Sequence, residues 1–281
     1  MKIIECPRDA MQGIKDFIPT KDKVRFINSL LKVGFDTIDF GSFVSPKAIP
    51  QLSDTRQVLE GLSLNTKTKL LAIVANIRGA EDALVYKEID YLGFPLSLSE
   101  TFQQRNTKKS IATAFEEIKS IQEKVLKSER RLVVYLSMGF GNPYNDPYEA
   151  DYIQEFVGKL ASFGVNIISL ADTVGMAQPE SIALQLSKLI SEFPEIEIGA
   201  HLHVTSQSAK QKIQAMLNSG CQRIDGAIGG YGGCPMATDD LTGNLNTLDL
   251  IDQIGQKPLN IDHESLVLSK QISDEIFTKY F

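Results

Sequence analysis

The chain has little histidine and little cysteine, with three of each among 281 residues. Cys6, Cys221 and Cys234 are an odd number without framework spacing, which excludes a disulfide-stapled fold and makes a reducing cytoplasm the expected home. No run of 18 apolar residues exists, so no segment is expected to span a membrane. The opening MKIIECPRD has neither a signal-peptide apolar core nor an Arg/Ser-rich transit segment, in keeping with that compartment. Positive charge is not in excess: the net charge of −6 argues against nucleic acid as a main partner, while leaving room for a local basic pocket. No Pro/Gly/Ser-rich linker or composition shift divides the chain, so residues 1–281 are read as one domain. With 43% hydrophobic and 23% charged residues, that domain has the composition of an ordinary globular protein.

What is present is a repeated unit. LLKVGFDTID at 30–39, LASFGVNIISL at 160–170 and MLNSGCQRID at 216–225 each end an amphipathic helix, place a glycine just past it and run into a short apolar stretch. Glycine suits the residue after a helix because that position often takes the left-handed conformation. The stretch that follows reads as a strand buried on both faces. Extending the template gives strands near 2–6, 36–40, 69–74, 89–94, 131–137, 166–170, 196–202 and 222–226. Helices fall near 21–33, 54–61, 77–87, 107–127, 148–162, 178–192 and 206–218, with two more near 246–254 and 263–278. In the 107–127 segment, Ile111, Phe115, Ile118 and Val125 form one stripe. Eight strands alternating with helices indicate an α/β fold, a closed (β/α)₈ barrel with the terminal helix packed outside; an open doubly wound sheet is the alternative.

In such a barrel the chemistry sits at the C-terminal ends of the strands. Strand one is followed by Arg8 and Asp9, and strand two ends at Asp39 before the apolar loop FGSFV. Strand five ends in SMGFGNP, strand six in LADTVG with Asp172, and strand eight in a glycine-rich loop at 226–247 that contains Cys234 and Asn244. Each has an ordinary explanation taken singly: a solvated ion pair, core packing, turn residues, a helix cap. Strand seven, IGAHLHV, admits two readings taken singly, a pair of hydrogen-bonded core histidines or a metal-binding pair. His201 and His203 are two residues apart, so in a strand both imidazoles point to one face at about 6.6 Å along the backbone. Asp9, His201, His203 and Asn244 then meet at one barrel mouth, on strands that adjoin once the barrel closes. Two nitrogens and two oxygens with open positions suit Mg²⁺, Mn²⁺ or Zn²⁺ in a working site, since structural zinc prefers closed Cys/His ligation. His263, in the terminal helix, reads as a surface residue.

Several of these segments together resemble a known family. PRDAMQ at 7–12, GSFVSPKAIPQ at 41–51, SLADTVG at 169–175, HLH at 201–203 and GGCPMATDDLTGN at 232–244 are similar to the 3-hydroxy-3-methylglutaryl-CoA lyases, among the metal-dependent lyase and Claisen-synthase barrels. The likeness runs in order along nearly the whole chain, and SFVSPK with GGCP marks the lyase branch. It implies a pyruvate-carboxyltransferase-like catalytic barrel that cleaves 3-hydroxy-3-methylglutaryl-CoA to acetyl-CoA and acetoacetate, as in leucine degradation. It implies Asp9, His201, His203 and Asn244 as ligands of a divalent ion, Mg²⁺ or Mn²⁺ ahead of Zn²⁺. Arg8 would stabilise the thioester enolate and, with Gln12 and Ser42, bind the substrate. Cys234 would be the catalytic thiol, and Asp172 and Asp39 further catalytic carboxylates. The expected partner is an acyl-CoA, in a homodimer or larger homo-oligomer.

The departures are specific. Asp39 stands where the family usually has glutamate, Val204 where its HxHD pattern has aspartate, Ala10 where it has glycine, and Met138 and Asn142 where relatives often carry cysteine. A Claisen-type synthase shares the Arg-Asp and HxH elements but not the GGCP loop. A zinc amidohydrolase places HxH on strand one and uses more histidines. An inactive barrel acting as a binding protein would need broken ligands, and none is broken.

Overall fold

The computed structural model describes residues 1–233, 242–255 and 259–280. Eight strands lie where the repeat places them: β1 (Lys2–Glu5), β2 (Thr37–Ser42), β3 (Lys69–Ile73), β4 (Tyr91–Ser97), β5 (Arg131–Ser137), β6 (Ile167–Asp172), β7 (Glu197–Val204) and β8 (Arg223–Gly226). Each pairs in parallel with the next, and β8 pairs back to β1. The sheet is closed, so the fold is the (β/α)₈ barrel and not the open alternative. A ninth strand, β9 (Gly243–Asn244), runs antiparallel to the end of β7 and sets His203 opposite Asn244.

The helices are α1 (Pro7–Gln12), α2 (Thr20–Leu30), α3 (Thr55–Glu60), α4 (Ile77–Leu84), α5 (Glu100–Thr107), α6 (Ile111–Lys127), α7 (Ala150–Ser162), α8 (Pro179–Glu192), α9 (Ser206–Asn218), α10 (Thr247–Ile254) and α11 (His263–Phe277). Gly34, Gly164 and Gly220, the three repeat glycines, have φ of 95°, 84° and 81°, the conformation the pattern required. In α6, Phe115, Ile118 and Val125 of the expected stripe face the core together with Ile121, and Ile111 packs on it partly buried. Its N-terminus is displaced from the expectation: Ser110 caps α6, and residues 100–107 form a separate α5 behind the Ser99 cap. Residues 7–12, which lie outside the helices the pattern gave, are a short helix begun by Pro7, whose missing N–H costs nothing in a first turn. α11 packs outside, with Phe277 edge-on to Phe26 of α2 at 6.0 Å, and its His263 is exposed.

Burial divides the core in two. A large apolar cluster fills the space between strands and helices, and a small one (Leu71, Tyr91, Val133, Tyr135, Ile167) plugs the barrel interior. The plug leaves the C-terminal end of the barrel as the concave face. No helix among the described residues is long and apolar enough to cross a membrane.

Candidate active site

Above the plug lies a cavity of about 570 Å³. Arg8, Asp9, Gln12, Thr173, His201 and His203 line its polar part, and Ile14, Val44, Ile49, Pro50 and Phe102 its apolar part, with Lys15 also on the wall.

Arg8 and Asp9 sit in the first turn of α1, nearly buried. A guanidinium has five N–H donors, and four of those of Arg8 are taken. Nε and Nη2 donate to Asp39 Oδ2 at 2.9 and 2.5 Å, and Nη1 donates to Asp9 Oδ1 at 2.8 Å and Gln12 Oε1 at 2.7 Å. One Nη2 N–H remains unused among the described residues. Burial would disfavour the charge, but the two carboxylates outweigh it and Arg8 stays a cation. Burial also raises Asp39, to about 6, against the pull of Arg8. Asp9 shares that burial, yet Arg8, the two histidines and the Asn244 amide hold it down at about 2, so it is an anion at any physiological pH.

Strand pleating turns His201 and His203 into the barrel and Leu202 and Val204 into the outer core. Each ring is fixed through Nδ1: His201 Nδ1 lies 3.1 Å from Asp225 Oδ2, and His203 Nδ1 lies 3.0 Å from the Thr173 carbonyl. A carbonyl only accepts, so His203 Nδ1 carries the hydrogen and Nε2 presents a lone pair. Burial and the neighbouring His201 lower His203 to about 4, which keeps that lone pair free. His203 Nε2 is buried and, among the described residues, has no hydrogen-bond partner. His201 Nε2 points the same way, 4.0 Å from Asp9 Oδ2.

The residues fit a divalent cation. Donors on one such ion, each about 2.0–2.6 Å from it, are at most about 5 Å apart. One atom each from Asp9, His201 and His203 lie within 4.8 Å of one another. Asn244 completes the set: its Nδ2 donates to Asp9 Oδ2 at 2.7 Å and to the Tyr231 carbonyl at 2.8 Å, leaving Oδ1 as the atom suited to a cation. Gly232 holds this corner together, because a Cβ there would lie 2.6 Å from the Asp9 carbonyl and 2.8 Å from Asn244 Nδ2. Cys234, two residues further along, lies outside the described residues.

Two expected site residues stand apart from the cavity. Asp172 points away from it, since Ala171 and Thr173 hold the inward positions of β6; its Oδ2 accepts from Lys212 Nζ at 3.0 Å and from the Ala177 N–H at 3.1 Å. Ser42 uses its hydroxyl within the turn after β2, accepting from the Val44 N–H at 3.1 Å. Asp39 lies behind Arg8 and reaches the cavity through it.

The family departures are built in locally. Val204 is core where an acid would be buried, and Asn142 Oδ1 accepts from the Tyr144 and Asp146 N–H groups to hold its own loop.

The sequence pattern did not single out Asp225, Lys212 or Glu5. Asp225 had a signal, because it ends the third copy of the repeat on the strand beside His201. Lys212 had one too: it interrupts the apolar stripe of α9 formed by Ala209, Ile213 and Met216. Glu5 had none, a lone acid in an apolar strand.

Known proteins resemble the chain in both sequence and fold. Hydroxymethylglutaryl-CoA lyase YngG of Bacillus subtilis is 32% identical over 271 residues, spanning 96% of this chain and 90% of the relative. The mitochondrial hydroxymethylglutaryl-CoA lyase of Mus musculus is 32% identical over 254 residues, 89% of this chain and 77% of its own. The solved HMG-CoA lyase of Acinetobacter baumannii, in complex with coenzyme A and 3-methylmalate, superposes with a TM-score of 0.90 at 29% identity, covering 98% of this chain and 90% of that one. The HMGL-like family model matches residues 2–271, and with it the barrel and its Arg-Asp and HxH elements place the chain in the HMGL-like family.

Proposed function

We propose that this protein is a divalent-metal-dependent hydroxymethylglutaryl-CoA lyase, with residues 1–281 acting as one catalytic unit in the cytoplasm. The observation that carries the proposal is the convergence of ligand atoms from Asp9, His201 and His203 within 4.8 Å of one another, beside an arginine that keeps one N–H unused among the described residues. The family relationship and the coenzyme A bound by the Acinetobacter relative support an acyl-CoA substrate.

The reaction breaks the C2–C3 bond of the substrate. The C3 hydroxyl gives up its proton to a base, the O–H electron pair becomes the second bond of the acetoacetate ketone, and the C2–C3 pair becomes the enolate of acetyl-CoA. That enolate must then gain a proton on carbon. Asp9, His201, His203 and Asn244 would hold the cation; their mixed nitrogen and oxygen donors suit Mg²⁺, Mn²⁺ or Zn²⁺, and the family likeness favours Mg²⁺ or Mn²⁺. When bound, the ion supplies Lewis acidity that lowers the pKa of the hydroxyl.

The chain's own residues do the rest. Asp225 and the Thr173 carbonyl fix both histidines in one tautomer before substrate arrives. Asp39, Asp9 and Gln12 hold the Arg8 plane, so its remaining N–H is aimed in advance at the thioester oxygen, where enolate charge develops. Asp39 is therefore a positioning residue, Asp172 sits outside the cavity on Lys212, and the Ser42 hydroxyl shapes a turn. We assign protonation of the enolate carbon to the Cys234 thiol; Gly232, packed on the Asp9–Ala10 backbone, brings the chain to the site two residues before it.

The test gives purified protein 3-hydroxy-3-methylglutaryl-CoA and, separately, acetyl-CoA with a 2-oxo acid, each with and without Mg²⁺ or Mn²⁺. Acetoacetate and acetyl-CoA are expected from the first, only with metal. Free CoA from the second mixture and no acetoacetate from the first would instead identify a synthase.

A further inference from the structure

Lys212 is a lysine in the wrong place. It lies in the middle of α9 on the stripe that faces the barrel, 3% exposed, and none of the roles above uses it. Its ammonium has three donors, and they meet three acceptors on two strands and a turn: Asp172 Oδ2 at 3.0 Å, the Gly175 carbonyl at 3.0 Å and the His203 carbonyl at 3.3 Å.

Each acceptor leads to the metal-side residues. The His203 carbonyl belongs to a proposed ligand. Asp172 precedes Thr173, whose carbonyl fixes the His203 ring at 3.0 Å and whose hydroxyl accepts from the Met138 N–H at 3.0 Å. Gly175, at φ 73°, packs so closely on Thr242 that a Cβ would lie 2.6 Å from Thr242 Cγ2, and Thr242 stands two residues before Asn244. One ammonium thus pins the backbone of His203, the peptide that sets its tautomer, and the turn beneath the approach to Asn244.

A buried ion pair alone is weak evidence of stabilisation, because apolar residues of equal volume often do as well. Two of the three acceptors here are backbone carbonyls next to the site, which an apolar substitute would not hold. We propose that Lys212 is a positioning residue that holds His203 and the 173–175 turn in the geometry for metal binding. The inference rests on the divalent-metal reading of the site.

Lys212→Met alone would leave the Asp172 carboxylate buried without its partner and is at risk of misfolding. The informative protein is the double variant Lys212→Met with Asp172→Asn, which removes both charges at nearly constant volume. Mn²⁺ binding is measured on metal-stripped full-length protein without substrate, by calorimetry and by the paramagnetic resonance of free Mn²⁺, beside thermal unfolding. Loss of an outer partner of a metal ligand typically weakens affinity by roughly 10–100-fold. That loss is expected here, with a thermal midpoint within a few degrees of wild type. Mn²⁺ affinity within about twofold of wild type, in a folded double variant, would overturn the role. So would a loss that appears only in step with a collapsed midpoint, which would make Lys212 merely structural. Wild-type protein that binds no Mn²⁺ would remove the metal reading itself, and this inference with it, and is distinguished by the wild-type titration.

Discussion

Glu5 offers a prediction whose size comes directly from its surroundings. It is fully buried at the end of β1, where Oε1 accepts from the Ile228 N–H at 2.8 Å and Oε2 from the Thr247 hydroxyl at 2.5 Å. Those partners lie at the start of the loop after β8 and at the start of α10, so one carboxyl joins the two ends of the segment that contains Cys234. Burial pushes Glu5 from 4.5 up to about 8, and the two hydrogen bonds only partly oppose it. The folded state therefore keeps its proton over a pH range in which the unfolded chain has lost it. Stability from this group is fully present below about pH 4.5 and is lost as pH rises to about 8. At 1.36 kcal/mol per pKa unit, the full loss is about 5 kcal/mol. Glu5→Gln keeps the shape of the neutral acid without its titration, and its amide can still meet Ile228 and Thr247. Urea unfolding of both proteins between pH 4.5 and 8.5 isolates the term as their difference. The variant should gain on wild type by about 1.4 kcal/mol per pH unit through most of that interval. Parallel stability curves would show that Glu5 ionises in place, and would refute the claim that burial dominates there.

Arg8→Gln should lower kcat by roughly 10²–10³-fold with a much smaller change in KM, as for a lost oxyanion donor; near-normal kcat would leave Arg8 as an ion-pair partner only. Asp225→Asn removes the carboxylate that fixes His201, and Mn²⁺ affinity measured by calorimetry should fall roughly 10–100-fold. Unchanged affinity would mean that His201 needs no such partner. Cys234→Ala should lose most turnover while binding metal and substrate normally, and in wild type the substrate should slow alkylation of Cys234. Full activity in that variant would remove the thiol from the mechanism.

The fold was legible because its signals are local. A helix end, a left-handed glycine and a doubly buried strand repeat along the chain, and all eight strands fall where that unit puts them. What escaped was short or depended on tertiary context. Six residues of α1 are too few to show a helical period, and β9 exists only because β7 offers it an edge. The site was partly legible for the same reason: the spacing of His201 and His203 fixes their shared face before any fold is known. Arg8, Asp9 and Asn244 join them through closure of the barrel. The spacing did not reveal which strand residues turn outward. Asp172 and Ser42 lie at strand ends as expected, yet the Asp172 carboxylate serves Lys212 and the Ser42 hydroxyl serves a turn. Buried partners such as Asp225 and Lys212 become meaningful only once the atoms they touch are known.

The most direct test of the central claim is anomalous diffraction from crystals equilibrated with Mn²⁺. One peak is expected within about 2.0–2.4 Å of Asp9, His201 Nε2, His203 Nε2 and Asn244 Oδ1. Ordered Mn²⁺ elsewhere in the barrel, or none with those four side chains in place, would contradict a metal-dependent lyase centre built on them.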